Sequence, residues 1–336
     1  MKKITALVLA ALMLFALAAC GSSDTPSQGS QEAVDAVTPA EGTVYNVGVC
    51  QLVQHPALDA ATQGFVDVLN ETFGEGNVNI DVQNASGDSA NCATICSGFA
   101  SENVDLILAN ATPALQAAAA ATNTIPVLGT SVTEYGVALE IDGFDGTVGG
   151  NVSGTSDLAP LDQQAEMVTE LFPDAKTVGI LYCSGEPNSV YQAEVVKAEL
   201  EKAGVTVSVY TFADSNDVAS VAGQACDECD VLYIPTDNTA ANCAEAINNV
   251  AQPAGVPIVC GEEGICAGCG VATLSIDYYE LGRTTGEMAV QILTGESDIS
   301  EMAIEYYPNP VKKYDAERCA ALNVTIPDDY VAIEAA

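Results

Sequence analysis

Two stretches of this chain repeat one pattern, and that repeat limits the fold more than any other feature. VDLILANATPAL at 104–115 parallels CDVLYIPTDNTA at 229–240: an aspartate, an apolar run, a threonine and a helix-forming segment. TIPVLGT at 124–130 is matched in the same way by GVPIVCG at 255–261. Around these landmarks the first unit predicts strands over 44–49, 78–83, 104–109 and 125–129, with helices over 57–72, 89–100 and 112–121. The second predicts strands over 177–183, 205–211, 230–234 and 256–260, with helices over 188–202, 215–225 and 239–251. Strands apolar on both faces that alternate with helices form a parallel sheet covered on both sides. Two such units in tandem predict an α/β protein of two similar Rossmann-like lobes.

The start of the chain has a different character. Residues 1–20, MKKITALVLAALMLFALAAC, read as a secretory signal of the lipoprotein kind, in which the Cys20 thiol is acylated and becomes the new N-terminus. Its apolar run is short for a membrane span. Residues 21–43 are small and polar without periodicity, the composition of a flexible tether. The expected location is therefore extracytoplasmic, on a lipid anchor. The 46 acids against 9 bases, a formal charge of −37, repel nucleic acid and anionic headgroups. Membrane attachment would then rest on the lipid alone. Both arginines, Arg283 and Arg318, lie late in the chain, which disfavours a phosphate ester as ligand.

Twelve cysteines raise the question of metal. The pairs Cys226/Cys229 and Cys266/Cys269 have zinc-like spacing, but Cys229 precedes one predicted strand whereas Cys266 follows the next. Parallel neighbours place the two pairs at opposite sheet ends, roughly 15–20 Å apart, too far for one tetrahedral site. No metal site is predicted. Cys92 and Cys96 are one helical turn apart, and Cys260 lies near Cys266 and Cys269, so one or two local disulfides remain open. The other reading is that most of the cysteines are small buried hydrophobes.

In open parallel sheets, ligands bind beyond the carboxyl ends of the strands. The turns there are QLVQHP, QNASGD, ANATPA, SGEPNS, PTDNTA and GEEG, all polar. Helix N-termini at such turns suit a carboxylate without any arginine, and Asp237 or Asp277 could hold an ammonium. Few polar groups on two facing edges describe a small-molecule clamp.

QLVQHPALDAATQGF at 51–65 resembles the QxxxHPALDxxxxGF signature of a family of ABC-transporter substrate-binding lipoproteins with the type I periplasmic-binding-protein fold. QNASGD at 83–88, TPA at 112–114, NVSGTSDL at 151–158, NS at 188–189, PTDN at 235–238, GEEG and IDYYELG at 276–282 follow in the family's order. The resemblance covers about residues 44–330. It implies a receptor that captures a small-molecule solute, an amino acid and notably an aromatic one, and delivers it to a permease. It implies no cofactor and no catalytic residue. The alternatives are a receptor of the same fold for a nucleoside or sugar, and an enzyme on this scaffold. The enzyme is disfavoured because no acid–base pair is visible around His55.

Carried onto matching positions, the resemblance puts Gln51, His55, Pro56, Asn84 and Thr112 at the binding edge of the first lobe. Asn188, Ser189, Asp237, Asn238 and Glu262 face them from the second. Thr155, Ser156 and Asp157 lie at the first crossover between lobes, and Asp277 and Tyr278 at the second. Crossovers are expected near 154–160, 272–278 and 300–306. They divide the chain into a first lobe of 44–156 plus 277–302 and a second of 157–276 plus 303–336. Each site residue also has a plainer reading: Asp157, Asp277, Ser189 and Thr112 could simply cap helices. His55, the only histidine, precedes Pro56 at a first helical position. Histidine is not a favoured cap, which leaves cleft lining and structural capping both open.

Overall fold

The computed structural model describes residues 43–74 and 76–334. The expected signal, Cys20 and nearly all of the tether fall outside them. The chain runs β1 (Tyr45–Gln51), α1 (Pro56–Phe73), β2 (Val78–Asn84), α2 (Ser89–Glu102), β3 (Leu106–Asn110), α3 (Thr112–Ala121), β4 (Val127–Val132), α4 (Tyr135–Ala138) and β5 (Val152–Ser156). It continues through α5 (Leu161–Leu171), β6 (Thr177–Cys183), α6 (Pro187–Lys202), β7 (Thr206–Phe212), α7 (Val218–Glu228), β8 (Val231–Ile234), α8 (Asn238–Asn242), α9 (Ala244–Ala254) and β9 (Ile258–Cys260). The last part is α10 (Glu263–Cys269), β10 (Ala272–Ser275), α11 (Tyr278–Thr294), β11 (Glu305–Tyr306), β12 (Val311–Tyr314), α12 (Ala316–Leu322) and β13 (Val331–Ala332).

The strands form two sheets, ordered β11-β5-β4-β3-β1-β2 and β13-β12-β10-β9-β8-β6-β7. Every pairing is parallel except β12 against β10. Period-two alternation with apolar residues on both sides explains the buried strands. In β3, Leu106 and Leu108 enter one core with Phe65 and Leu69, while Ile107 and Ala109 enter the other with Phe99 and Leu115. Each such leucine or isoleucine contributes about 1.5–3 kcal/mol on burial. In each sheet the strand order reverses direction beside its first strand, at β1/β3 and at β6/β8. That switch point is where a crevice opens at the carboxyl ends.

Three passages join the sheets: Asp157–Pro160 after β5, Ile276–Asp277 after β10, and residues 307–310 after β11. The third differs from the expected 300–306, and a lobe boundary at 302/303 falls too early. β11 still pairs with β5, Glu305 opposite Thr155, so the chain leaves the first sheet only after Tyr306. The helix expected over 239–251 is two helices, because Cys243 (φ −113°, ψ 13°) leaves helical geometry between α8 and α9. α11 returns to lie along α1 at a glycine seam. A Cβ on Gly64 would strike the Tyr279 carbonyl, and one on Gly282 the Ala61 carbonyl. That approach fixes the second passage over the crevice. Among the described residues no helix is long and apolar enough to cross a membrane.

Candidate functional site

His55 ends the β1–α1 turn in extended conformation, with Pro56 at the first helical position and no cap bond from the imidazole. Its Nε2 instead lies 3.3 Å from Asn238 Oδ1 at the start of α8, joining the two lobes across the crevice. Behind Asn238 stands Glu186. Its carboxylate accepts from Asn238 N (2.9 Å), Asn238 Nδ2 (2.8 Å), Thr239 N (2.8 Å) and Thr239 Oγ1 (2.7 Å). Asp237 caps α8 through Ala240 N and accepts Cys183 N on its other oxygen, both at 2.7 Å. Burial and then the Glu186 charge push the Asp237 carboxyl up to about 8. Burial lowers the His55 pKa, against the Asn238 bond and the charges of Glu186 and Asp59.

A second constellation lies at the passages. Tyr278 Oη donates to Asp157 Oδ2 at 3.0 Å, while Asp157 Oδ1 is buried with no protein partner. Burial pushes this carboxyl up to about 6. Glu262 caps α10, accepting from Gly264 N at 2.6 Å and from Ile265 N, and burial raises it to about 7. Ser131 sits at the end of β4 in the left-handed region (φ 53°), its buried hydroxyl unpartnered. Asn188 donates to the Thr236 carbonyl at 3.0 Å and leaves its Oδ1 unpartnered. Buried polar atoms are normally paired, and four on these turns have no protein partner: His55 Nδ1, Ser131 Oγ, Asp157 Oδ1 and Asn188 Oδ1.

Other expected residues have structural work. Gln51 is locked onto Thr62, Asp59 and the Val53 carbonyl. Thr155 joins Thr130 and Thr285 in a hydroxyl cluster under α11. Ser156 donates to the Thr133 carbonyl, and Ser189 lies against the Thr236 carbonyl. Asn84 is exposed and accepts Ser86 N in a turn, while Asp277, also exposed, caps α11 through Glu280 N. Pro56 is exposed, and Thr112 is buried at the start of α3. Sequence reasoning missed Ser131 and Glu186. Glu186 lay in the quoted turn SGEPNS, whereas only the strand end TIPVLGT pointed toward Ser131.

Between the lobes a cavity of about 300 Å³ is lined by Val53, Gly87 and Pro113 on one side and by Glu186, Asp214 and Asn238 on the other. Eleven cysteines among the described residues are free thiols, ten of them buried. No described group of His, Cys, Asp or Glu has metal-binding geometry. Cys50 meets Cys92 and Cys96, and Cys260 meets Cys266 and Cys269, as packed thiols within the cores.

The family described as ABC transporter substrate binding protein matches residues 46–330. A tyrosine-binding protein of Clostridioides difficile (strain R20291) is 33% identical over 333 residues, 96% of this chain and 95% of that protein. An ABC domain from Streptococcus pneumonia in complex with L-Trp is 33% identical, covers 85% of this chain and 97% of its own, and superposes with a TM-score of 0.81. The ligand-free, open structure of a substrate-binding protein with adhesive properties from Clostridium difficile is 35% identical over 87% of this chain and 99% of its own, with a TM-score of 0.67. At similar identity the chain is thus nearer in shape to the ligand complex than to the open form, in keeping with the contact of His55 and Asn238 across the crevice. Two facing parallel sheets, three passages between them and a polar crevice at both switch points carry the same conclusion: this chain belongs to the ABC-transporter substrate-binding protein family, with the type I periplasmic-binding-protein fold.

Proposed function

We propose that this protein captures an aromatic amino acid in the crevice and hands it to the permease of an ABC importer, with no chemistry of its own. The observation that carries this reading is Asp157. Its Oδ2 is held by Tyr278, and its Oδ1 is a buried carboxylate oxygen without a protein partner. An α-ammonium at Oδ1 would restore the charge that burial disfavours. The Ser131 hydroxyl is a donor available to the ligand's carboxylate. Relatives that bind tyrosine and L-Trp supply the ligand class. Asp237, the first candidate from sequence for the ammonium, has both oxygens engaged by backbone N–H groups and is assigned to holding α8.

Calorimetry with L-Trp, L-Tyr and L-Phe tests the reading. Asp157→Asn should weaken binding by about 2–5 kcal/mol if the pair is desolvated. An unchanged Kd removes Asp157 from the site, and failure of every aromatic amino acid leaves a nucleoside or sugar receptor. Proteins of this family work outside the cytoplasm. For the anchor we propose diacylglycerol on Cys20, so that Cys20→Ser releases the protein from the membrane fraction or blocks its processing.

A further inference from the structure

We infer that His55 is the latch between the lobes, held as one neutral tautomer that presents Nδ1 to an N–H or O–H donor of the ligand. This rests on the reading of the crevice as a solute site. The argument runs outward from Glu186. Its two oxygens take four N–H and O–H donors from Asn238 and Thr239, among them Asn238 Nδ2 at 2.8 Å. With its amide nitrogen committed there, Asn238 turns Oδ1 to His55. A carbonyl oxygen only accepts, so Nε2 must carry the proton. In the neutral ring Nδ1 is then a lone-pair acceptor, and it is buried with no partner in a residue 7% exposed. Protonating the ring would instead leave an Nδ1–H donor buried without an acceptor, at a cost comparable to a lost hydrogen bond. The groups acting on the ring are Asn238 and Glu186 of the second lobe and Asp59 of α1. An indole N–H, a phenol O–H and an α-ammonium all supply the donor that Nδ1 lacks, whereas a carboxylate does not.

His55 is the chain's only histidine, so the imidazole of ¹⁵N-labelled, tag-free protein gives a single long-range ¹H–¹⁵N pattern. The expected pattern is a protonated Nε2 and a bare Nδ1, with the Nδ1 shift moving on addition of L-Trp or L-Tyr and saturating at one equivalent. Comparison with L-Phe identifies the donor: a shift with L-Phe as well assigns the ammonium, and a shift with L-Trp and L-Tyr alone assigns the ring group. Asn238→Ala should release the tautomer to an equilibrium mixture and weaken ligand binding roughly tenfold, the worth of one hydrogen bond. An Nδ1–H tautomer, an imidazolium at neutral pH, or an Nδ1 signal indifferent to a ligand that calorimetry shows to bind would overturn the inference. If calorimetry finds no aromatic amino acid binding while Nε2 remains the protonated nitrogen, the latch stands and the amino-acid reading falls.

Discussion

Asp157 and Asp237 are both buried aspartates just beyond a strand, and only their hydrogen bonds separate their roles. Asp237 spends both oxygens on backbone N–H groups; Asp157 leaves one open. A buried carboxyl whose folded pKa lies at about 6 rather than the ordinary 3.8 binds its proton more tightly when folded. It therefore costs stability as pH rises through that interval, and the cost is complete above about 6. Asp157→Asn should accordingly raise the thermal midpoint of the ligand-free protein above that pH, by an amount worth about 1–3 kcal/mol. Below the ordinary carboxyl range it should bring no gain. The same substitution is expected to weaken ligand binding, so a variant that gains stability and keeps its affinity would separate Asp157 from the ligand. Below about pH 8, where the raised Asp237 carboxyl is protonated and carries no ionisation cost, Asp237→Asn should behave in the opposite way. Its amide would turn a donor toward Ala240 N or Cys183 N, and the midpoint should fall by about 1–3 kcal/mol.

Among the elements, α11 matters most to the crevice because it carries the chain back to the first lobe and places Tyr278 beside Asp157. Its seam against α1 depends on Gly64, Gly282 and Gly286. At Gly282 the obstacle to a Cβ is the Ala61 backbone, which no rotamer change can move. Gly282→Ala should thus cost about 1–3 kcal/mol in urea unfolding, and it should also displace Tyr278 and weaken ligand binding. Asp277→Ala removes only the cap of the same helix and should cost about 1 kcal/mol with affinity unchanged. A helix such as α1 was legible in sequence because a long amphipathic stretch shows its period. The break at Cys243 and the late passage after β11 were not, since which sheet that two-residue strand joins is set by its pairing with β5 and not by local pattern.

At the scale of the whole molecule, acidity and burial act in the same direction. Asp157, Asp237 and Glu262 are all raised by burial, to about 6, 8 and 7, within a chain of net charge −37. Each costs folding free energy once ionised, so the thermal midpoint of the ligand-free protein should fall as pH rises from about 5 to about 8. A midpoint flat over that range would mean the three groups are solvated in solution. The chain contains no tryptophan, so excitation at the red edge of the indole band reports only added L-Trp. Its emission should shift to shorter wavelength on enclosure between the lobes, and L-Tyr should reverse the shift by competition.

The sequence alone determined the two tandem α/β units, the parallel sheets and the polar turns where a ligand would meet them. Those properties follow from local periodicity and from the rule that parallel strands bury both faces. Which polar side chains keep a hydrogen-bonding atom free was decided by tertiary structure. Gln51, Thr155 and Ser156 look as promising in the chain as Asp157, and the fold spends their hydrogen-bonding groups on Thr62, Thr285 and the Thr133 carbonyl. Ser131 became visible only because its hydroxyl was left without a partner. A side chain's availability depends on neighbours brought from distant positions, as when Glu186, 52 residues before Asn238, orients the amide that meets His55 from the other lobe.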